Sequence, residues 1–170
     1  RSVNEKKEFF ALIFKKGDSQ DTPLVRIHSQ CITGDLLDSL KCDCGSQLKT
    51  ALKMMSSKGG IILYMPEEGR NIGFLNKIRT YEYQFHGLDT IEANHALGFH
   101  SDQRDYISAS KILKTLGINT INLLTNNPNK KFSLEKEGIK INKTVQLKVF
   151  VSDEAKNYMN TKKIKSGHNL

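Results

Sequence analysis

"SQLKTALKMMSSKGGIILYM" (46–65) decides the fold class. Leu48, Ala51, Leu52 and Met55 recur at i, i+3, i+4 and i+7, so the spacing predicts a helix over 46–58 with one apolar stripe. Gly59 and Gly60 end it, and "IILYM" (61–65) is short, apolar and β-branched at its start, as a buried strand is. The same alternation extends outward. "EFFALIF" (8–14) and "TPLVRIH" (22–28) read as strands joined by the polar turn "KKGDSQD". Helices are expected over about 73–86, where Phe74, Leu75, Ile78 and Tyr81 share a side, and around Ala109, Ile112, Leu113 and Leu116. "NTINLL" (119–124) is strand-like, "NKKFSLEKEG" a short helix, "VQLKVF" a late strand and "DEAKNYMNTKKIK" a late helix. Helices alternating with buried strands make an α/β domain, in which ligands collect beyond the carboxyl ends of strands. "HSQC", "PEEGRNIG" and "TNNPNK" occupy those places.

The chain has 170 residues, a net charge of +8 and 26% charged residues, a composition suited to one folded domain with an anionic partner. No apolar run is long enough to cross a bilayer, and "RSVNEKKEFF" lacks the apolar core of a signal peptide. Arg1 rather than Met opens the chain, as in a fragment, a trimmed chain or part of a longer protein.

All three cysteines lie in "CITGDLLDSLKCDCGSQ" (31–47). An odd number at such spacing is no disulfide framework, and a reducing compartment suits it. Cys31, Cys42 and Cys44 could converge on Zn²⁺ with one position left for water, which is a catalytic pattern. Two other readings stand beside it: small buried hydrophobes, or a closed structural zinc with His28 as fourth ligand. Elsewhere single motifs are weaker. "EEGRNIG" presents Glu68, Gly69 and Arg70 at a strand-to-helix turn, where Arg70 could fork onto a phosphate. In "HSDQRDY", Ser101 or Asp102 would serve as an N-cap. "LLTNNPNKK" is explained by turn chemistry. Tyr81 reads as a core aromatic and His95 as a structural histidine.

In series these stretches gain weight. "RIHSQCITGD", "KCDCGSQL", "EEGRNIGFLNKIRTY", "DTIEANHALGF", "DQRDY", "LLTNNPNK" and "KSGH" follow the order and spacing of GTP cyclohydrolase II, and the chain resembles that family from about Pro23 to Gly167. The resemblance implies a single α/β domain over 1–170, a mixed sheet flanked by helices, with the N-terminal part starting late. It implies opening of the imidazole ring of GTP with release of formate and pyrophosphate, leaving a diaminopyrimidine ribosyl phosphate for riboflavin biosynthesis. It implies a cytoplasmic homodimer with one Zn²⁺ per subunit and Mg²⁺ on the triphosphate, and no nucleic-acid or membrane partner. By the same resemblance Cys31, Cys42 and Cys44 hold zinc. Arg26, Ile27, His28, Ser29, Gln30, Gln47, Glu68, Gly69, Arg70, Thr90, Thr125 and Lys130 surround the nucleotide. Tyr81 assists hydrolysis, Asp102 accepts a proton and Arg104 acts at the α-phosphate, covalently or by its charge. Gln30 stands where the family usually carries Glu, which leaves a catalytically impaired homologue as one alternative. A basic zinc protein that binds nucleic acid is the other, although the lysines are not interleaved with aromatics.

Overall fold

The structure, a computed structural model, describes residues 7–16 and 22–168. Its strands are β1 (Phe10–Phe14), β2 (Leu24–Ser29), β3 (Gly60–Met65), β4 (Thr120–Leu124) and β5 (Lys140–Val145). Its helices are α1 (Cys44–Lys58), the single turn α2 (Glu68–Asn71), α3 (Phe74–Phe85), α4 (Thr90–Ala96), α5 (Ile107–Thr115), α6 (Pro128–Lys136) and α7 (Lys156–Ser166). The strands form one mixed sheet in the order β1-β3-β2-β4-β5, with β1 antiparallel to β3 and the other pairs parallel. This is the α/β fold expected.

The period-2 alternation of the strands sorts the core. Ile61, Leu63 and Met65 share a face with Val25 and Ile27, and this face packs on Ala109 and Leu113 of α5 and Leu134 of α6. Ile62 and Leu124 face the other way, onto Ala51 and Met55 of α1. Arg26 lies beside Ile62 in the register, so this strand carries a buried cation on the α1 side. β2, β3 and β4 run in parallel, so their carboxyl ends, at Ser29, Met65 and Leu124, open at one edge.

One expectation needs correction, and two elements were not foreseen. "EFFALIF" and "TPLVRIH" hold strands as read, with β3 between them in the sheet, and residues 17–21 of the joining turn fall outside those described. "VQLKVF" is not a strand beyond Val145: the strand is Lys140–Val145. Downstream, the Asn126 side chain takes both the N–H and the C=O of Leu147, each at 2.8 Å, replacing a ladder, while the Leu147 side chain enters the core. "KINKTV" escapes sequence reading because most of an edge strand's side chains face solvent. A helix, α4, overlaps the start of "EANHALGF", opened by an Asp89–Glu92 capping box.

Candidate active site

The loop after β2 begins with a π-helical turn, Ile32–Leu36, that folds Cys31 back toward the start of α1. Asp35 fixes this turn: one oxygen accepts the Cys31 N–H at 3.0 Å and the Tyr64 hydroxyl at 2.9 Å, and both face His28 Nε2 at 3.1 Å. The Sγ atoms of Cys31, Cys42 and Cys44 lie within 4.8 Å of one another. Gly34 makes this possible, because a Cβ there would sit 2.9 Å from Cys42 Sγ and 3.2 Å from Cys31 Sγ. Among the described residues no other group of three His, Cys, Asp or Glu ligand atoms is so close, and His28 is not in it. Three soft donors with no fourth His, Cys, Asp or Glu donor among the described residues match an open metal site better than a closed one.

Lys77 stands directly beside the thiols. Its Nζ donates to Cys31 Sγ at 3.0 Å, Thr33 Oγ1 at 2.7 Å and Glu68 Oε1 at 2.7 Å. Hydrogen bonds from the Cys42 and Cys44 thiols, with the Lys77 charge, hold the Cys31 thiol far below its usual pKa. The thiolate this creates, with burial, pushes Cys42 and Cys44 up. Thr33 Oγ1 also meets the Tyr81 hydroxyl at 3.2 Å.

These groups line a cavity of about 250 Å³ at the carboxyl edge of the sheet. Arg26, Arg104 and Lys130 line it too, the first and last of them buried. Arg26 donates to the Leu124 carbonyl at 3.2 Å and to Gln47 Oε1, and its buried Nε has no partner among the described residues. Burial pushes the Arg26 guanidinium down to about 10. Lys130 donates to the Ile27 carbonyl at 2.8 Å; burial, then Arg26 and Arg104, drives its pKa well below the usual lysine value. An anion entering the cavity would relieve that repulsion.

Asp102 does not cap the next helix, as a turn reading would have it. α5 starts at Ile107, whose N–H bonds to Asp105, and Asp102 grips Arg104 instead. Against its burial, that guanidinium holds the Asp102 carboxyl below the usual range. Gly69, Arg70 and Asn71 are all left-handed, with φ of 61°, 60° and 74°. This is costly for the two non-glycine residues, and it lets Arg70 Nη1 reach the Ser101 carbonyl at 3.1 Å, joining the two loops.

The GTP cyclohydrolase II family model matches residues 1–146. The chain belongs to this family. It is 46% identical to the GTP cyclohydrolase-2 of Vibrio parahaemolyticus over 171 residues, which covers 100% of this chain and 86% of that protein. It is 50% identical to the GTP cyclohydrolase-2 of Pasteurella multocida over 165 residues, 96% of this chain and 75% of that protein. The riboflavin biosynthesis protein RibBA of Thermotoga maritima is 51% identical over 164 residues, 96% of this chain, but the chain spans only 42% of RibBA's length.

Of the residues that the GTP cyclohydrolase II resemblance singled out, Arg26, His28, Ser29, Gln30, Gln47, Glu68, Gly69, Arg70, Thr90, Thr125 and Lys130 line the cavity. So do the three cysteines, Tyr81, Asp102 and Arg104. The Ile27 side chain does not; it is fully buried in the core, and only its carbonyl reaches the site, through Lys130. Sequence reading missed Lys77, Glu67 and Lys162. Lys77 lies one turn before Tyr81 on α3, and that spacing was the signal available. Glu67 accepts the Ser29 hydroxyl at 2.9 Å, and Lys162 pairs with Asp43 at 2.6 Å across 119 residues, a contact no local pattern announces.

Proposed function

We propose that this chain hydrolyses GTP, opening its imidazole ring and releasing formate and pyrophosphate in riboflavin biosynthesis. One observation carries the reading: three convergent thiols and three basic side chains, the buried Arg26 and Lys130 and the partly buried Arg104, line the same cavity. A nucleoside triphosphate is a ligand with both a ring to hydrolyse and a polyanion to hold. These basic groups line a cavity rather than an open face, which favours a small anionic ligand over a nucleic acid. Residues 1–170 are proposed as one catalytic domain, working as a cytoplasmic homodimer. Among the described residues no helix is long and apolar enough to cross a membrane.

Cys31, Cys42 and Cys44 would hold Zn²⁺, and the space left by Gly34 suits the group. When bound, zinc supplies a water acidified toward neutrality beside the substrate ring. The Lys77 ammonium, donating to Cys31 Sγ, adds to what favours the thiolate form that a metal requires. Glu68 fixes the loop above it, since its carboxylate accepts the Ile32 N–H at 2.5 Å and the Gly69 N–H at 3.1 Å. Tyr81, held by Thr33 at 3.2 Å, presents a hydroxyl that burial keeps protonated and able to donate. Mg²⁺ would arrive on the phosphates, because no carboxylate cluster among the described residues could hold it alone.

At the phosphates, Arg26, Lys130 and Arg104 stabilise the charge that develops as pyrophosphate leaves. Burial opposes the charge on Arg104, but Tyr106 and Asp102 overcome it and hold the guanidinium above its usual pKa. A cation so held has no lone pair to offer, so its role is electrostatic. Asp102, ionised against Arg104, can accept a proton from a nearby hydrolytic step.

The test is incubation of the purified chain with GTP, Zn²⁺ and Mg²⁺, with formate and pyrophosphate measured in the same sample. Formate in step with pyrophosphate supports the reading, and an absence of formate overturns it.

A further inference from the structure

α7 docks by charge. Its buried residues are Thr161 and Lys162, while the apolar Ile164 is 79% exposed. Lys165 reaches Asp89 and, at 2.9 Å, Glu92 at the start of α4. Lys162 Nζ lies 2.6 Å from Asp43 Oδ1, with the two side chains 8% and 0% exposed, and 4.3 Å from the centre of the Tyr158 ring. Tyr158, Lys162, Lys165, Ser166 and His168 line the cavity, so α7 and the residues after it are one of its walls.

Asp43 is the residue between Cys42 and Cys44, and it is the N-cap of α1. An aspartate there ordinarily turns its carboxylate onto the first N–H groups of the helix. Asp43 makes no such bond. One oxygen serves Lys162 and the other accepts Gln47 Nε2 at 2.5 Å, while its carbonyl accepts the Gln47 N–H at 2.9 Å. Gln47 in turn holds Arg26. A buried ion pair is a poor source of stability, because desolvation offsets its attraction. Its geometric effect is definite: one ammonium from residue 162 sets the backbone between two thiols and the first polar partner of Arg26.

We propose that Lys162 is a positioning residue of the thiol site. Delivered by the C-terminal helix, it holds Asp43, and through Asp43 it sets Cys42, Cys44 and Gln47, so that the metal site is complete only when α7 is docked. This rests on reading the three cysteines as a metal site.

The test is Zn²⁺ affinity of the full chain, measured by competition with a chromophoric chelator. Outer-shell partners of metal ligands are worth roughly 10–100-fold in affinity, and Lys162→Met is expected to weaken binding by about 10-fold or more. Lys163→Met, the same charge change at the exposed neighbouring residue, is expected to bind as the wild type does. Should Lys162→Met fail to fold, because Asp43 is left buried and unpaired, Asp43→Asn/Lys162→Met removes both charges and carries the same expectation. Wild-type affinity in either Lys162 variant, or an equal loss in Lys163→Met, overturns the proposal alone. A wild-type chain that binds no Zn²⁺ overturns the metal reading, and the role of Lys162 with it.

Discussion

Asp102 and Arg104 form a two-point fork across a single intervening residue: Oδ1 accepts from Nε at 2.8 Å and Oδ2 from Nη2 at 2.5 Å. The third nitrogen, Nη1, reaches the Ser29 hydroxyl at 3.3 Å at the end of β2. The guanidinium is therefore aimed by two loops and kept charged by its partner.

Arg104→Ala is expected to slow pyrophosphate release by about 10²–10³-fold, the usual cost of one preorganised group that meets developing charge. Asp102→Asn leaves the cation but loosens its aim, so a smaller loss is expected. Steady-state pyrophosphate assays on both variants check this. Near-normal turnover in Arg104→Ala would return the fork to a surface loop brace.

Cys42→Ser separates the two ends of the substrate. Losing a thiolate ligand is expected to slow formate release by at least ~100-fold, at the upper end of what outer-shell changes cost. Pyrophosphate release is expected to persist, since Arg104, Arg26 and Lys130 are untouched. Circular dichroism and zinc content on the same sample supply the controls. Structural zinc has a different outcome, with fold and both activities lost together.

Gly34→Ala tests the cradle. The new methyl would sit 2.9 Å from Cys42 Sγ and 3.0 Å from Cys44 Cβ, so the thiols must move apart. Overpacking of this kind costs about 1–3 kcal/mol, to be read from denaturant unfolding. Zinc affinity is expected to fall with it, and unchanged metal binding would mean that the thiols do not share an ion.

Acid should weaken the fold through His168. Burial, then the charges of Lys162, Arg104, Lys130 and Arg70, pushes its imidazole down from 6.5 to about 3. Between those values the unfolded chain binds a proton that the native chain refuses, so stability is full above 6.5 and is lost as pH falls toward 3. Thermal midpoints between pH 7 and 5 are expected to fall less steeply in His168→Gln than in the wild type. Parallel slopes would remove His168 from the packed wall of the cavity.

The local elements were legible because each is written in a local period. Leu48, Ala51, Leu52 and Met55 announced α1, and "IILYM" announced β3. The cysteines were legible as a cluster because spacing alone brings them together in the chain. The strand at 140–145 was hidden because most of its side chains face solvent, whereas Asp89 and Glu92 do spell the capping box that opens α4.

What the sequence determined by itself was the alternation of helices and strands, the parallel edge where loops gather, and the types of group brought there. What only the tertiary structure decided was which groups meet. β3 inserts between β1 and β2, Lys77 swings onto Cys31, Asp102 turns from a cap to a clamp, and Lys162 crosses 119 residues to Asp43. The physical reason is that local periodicity fixes which face a side chain takes. The partner of a buried charge is fixed by what else has been excluded from water at the same point in space, and a one-dimensional pattern carries no record of that.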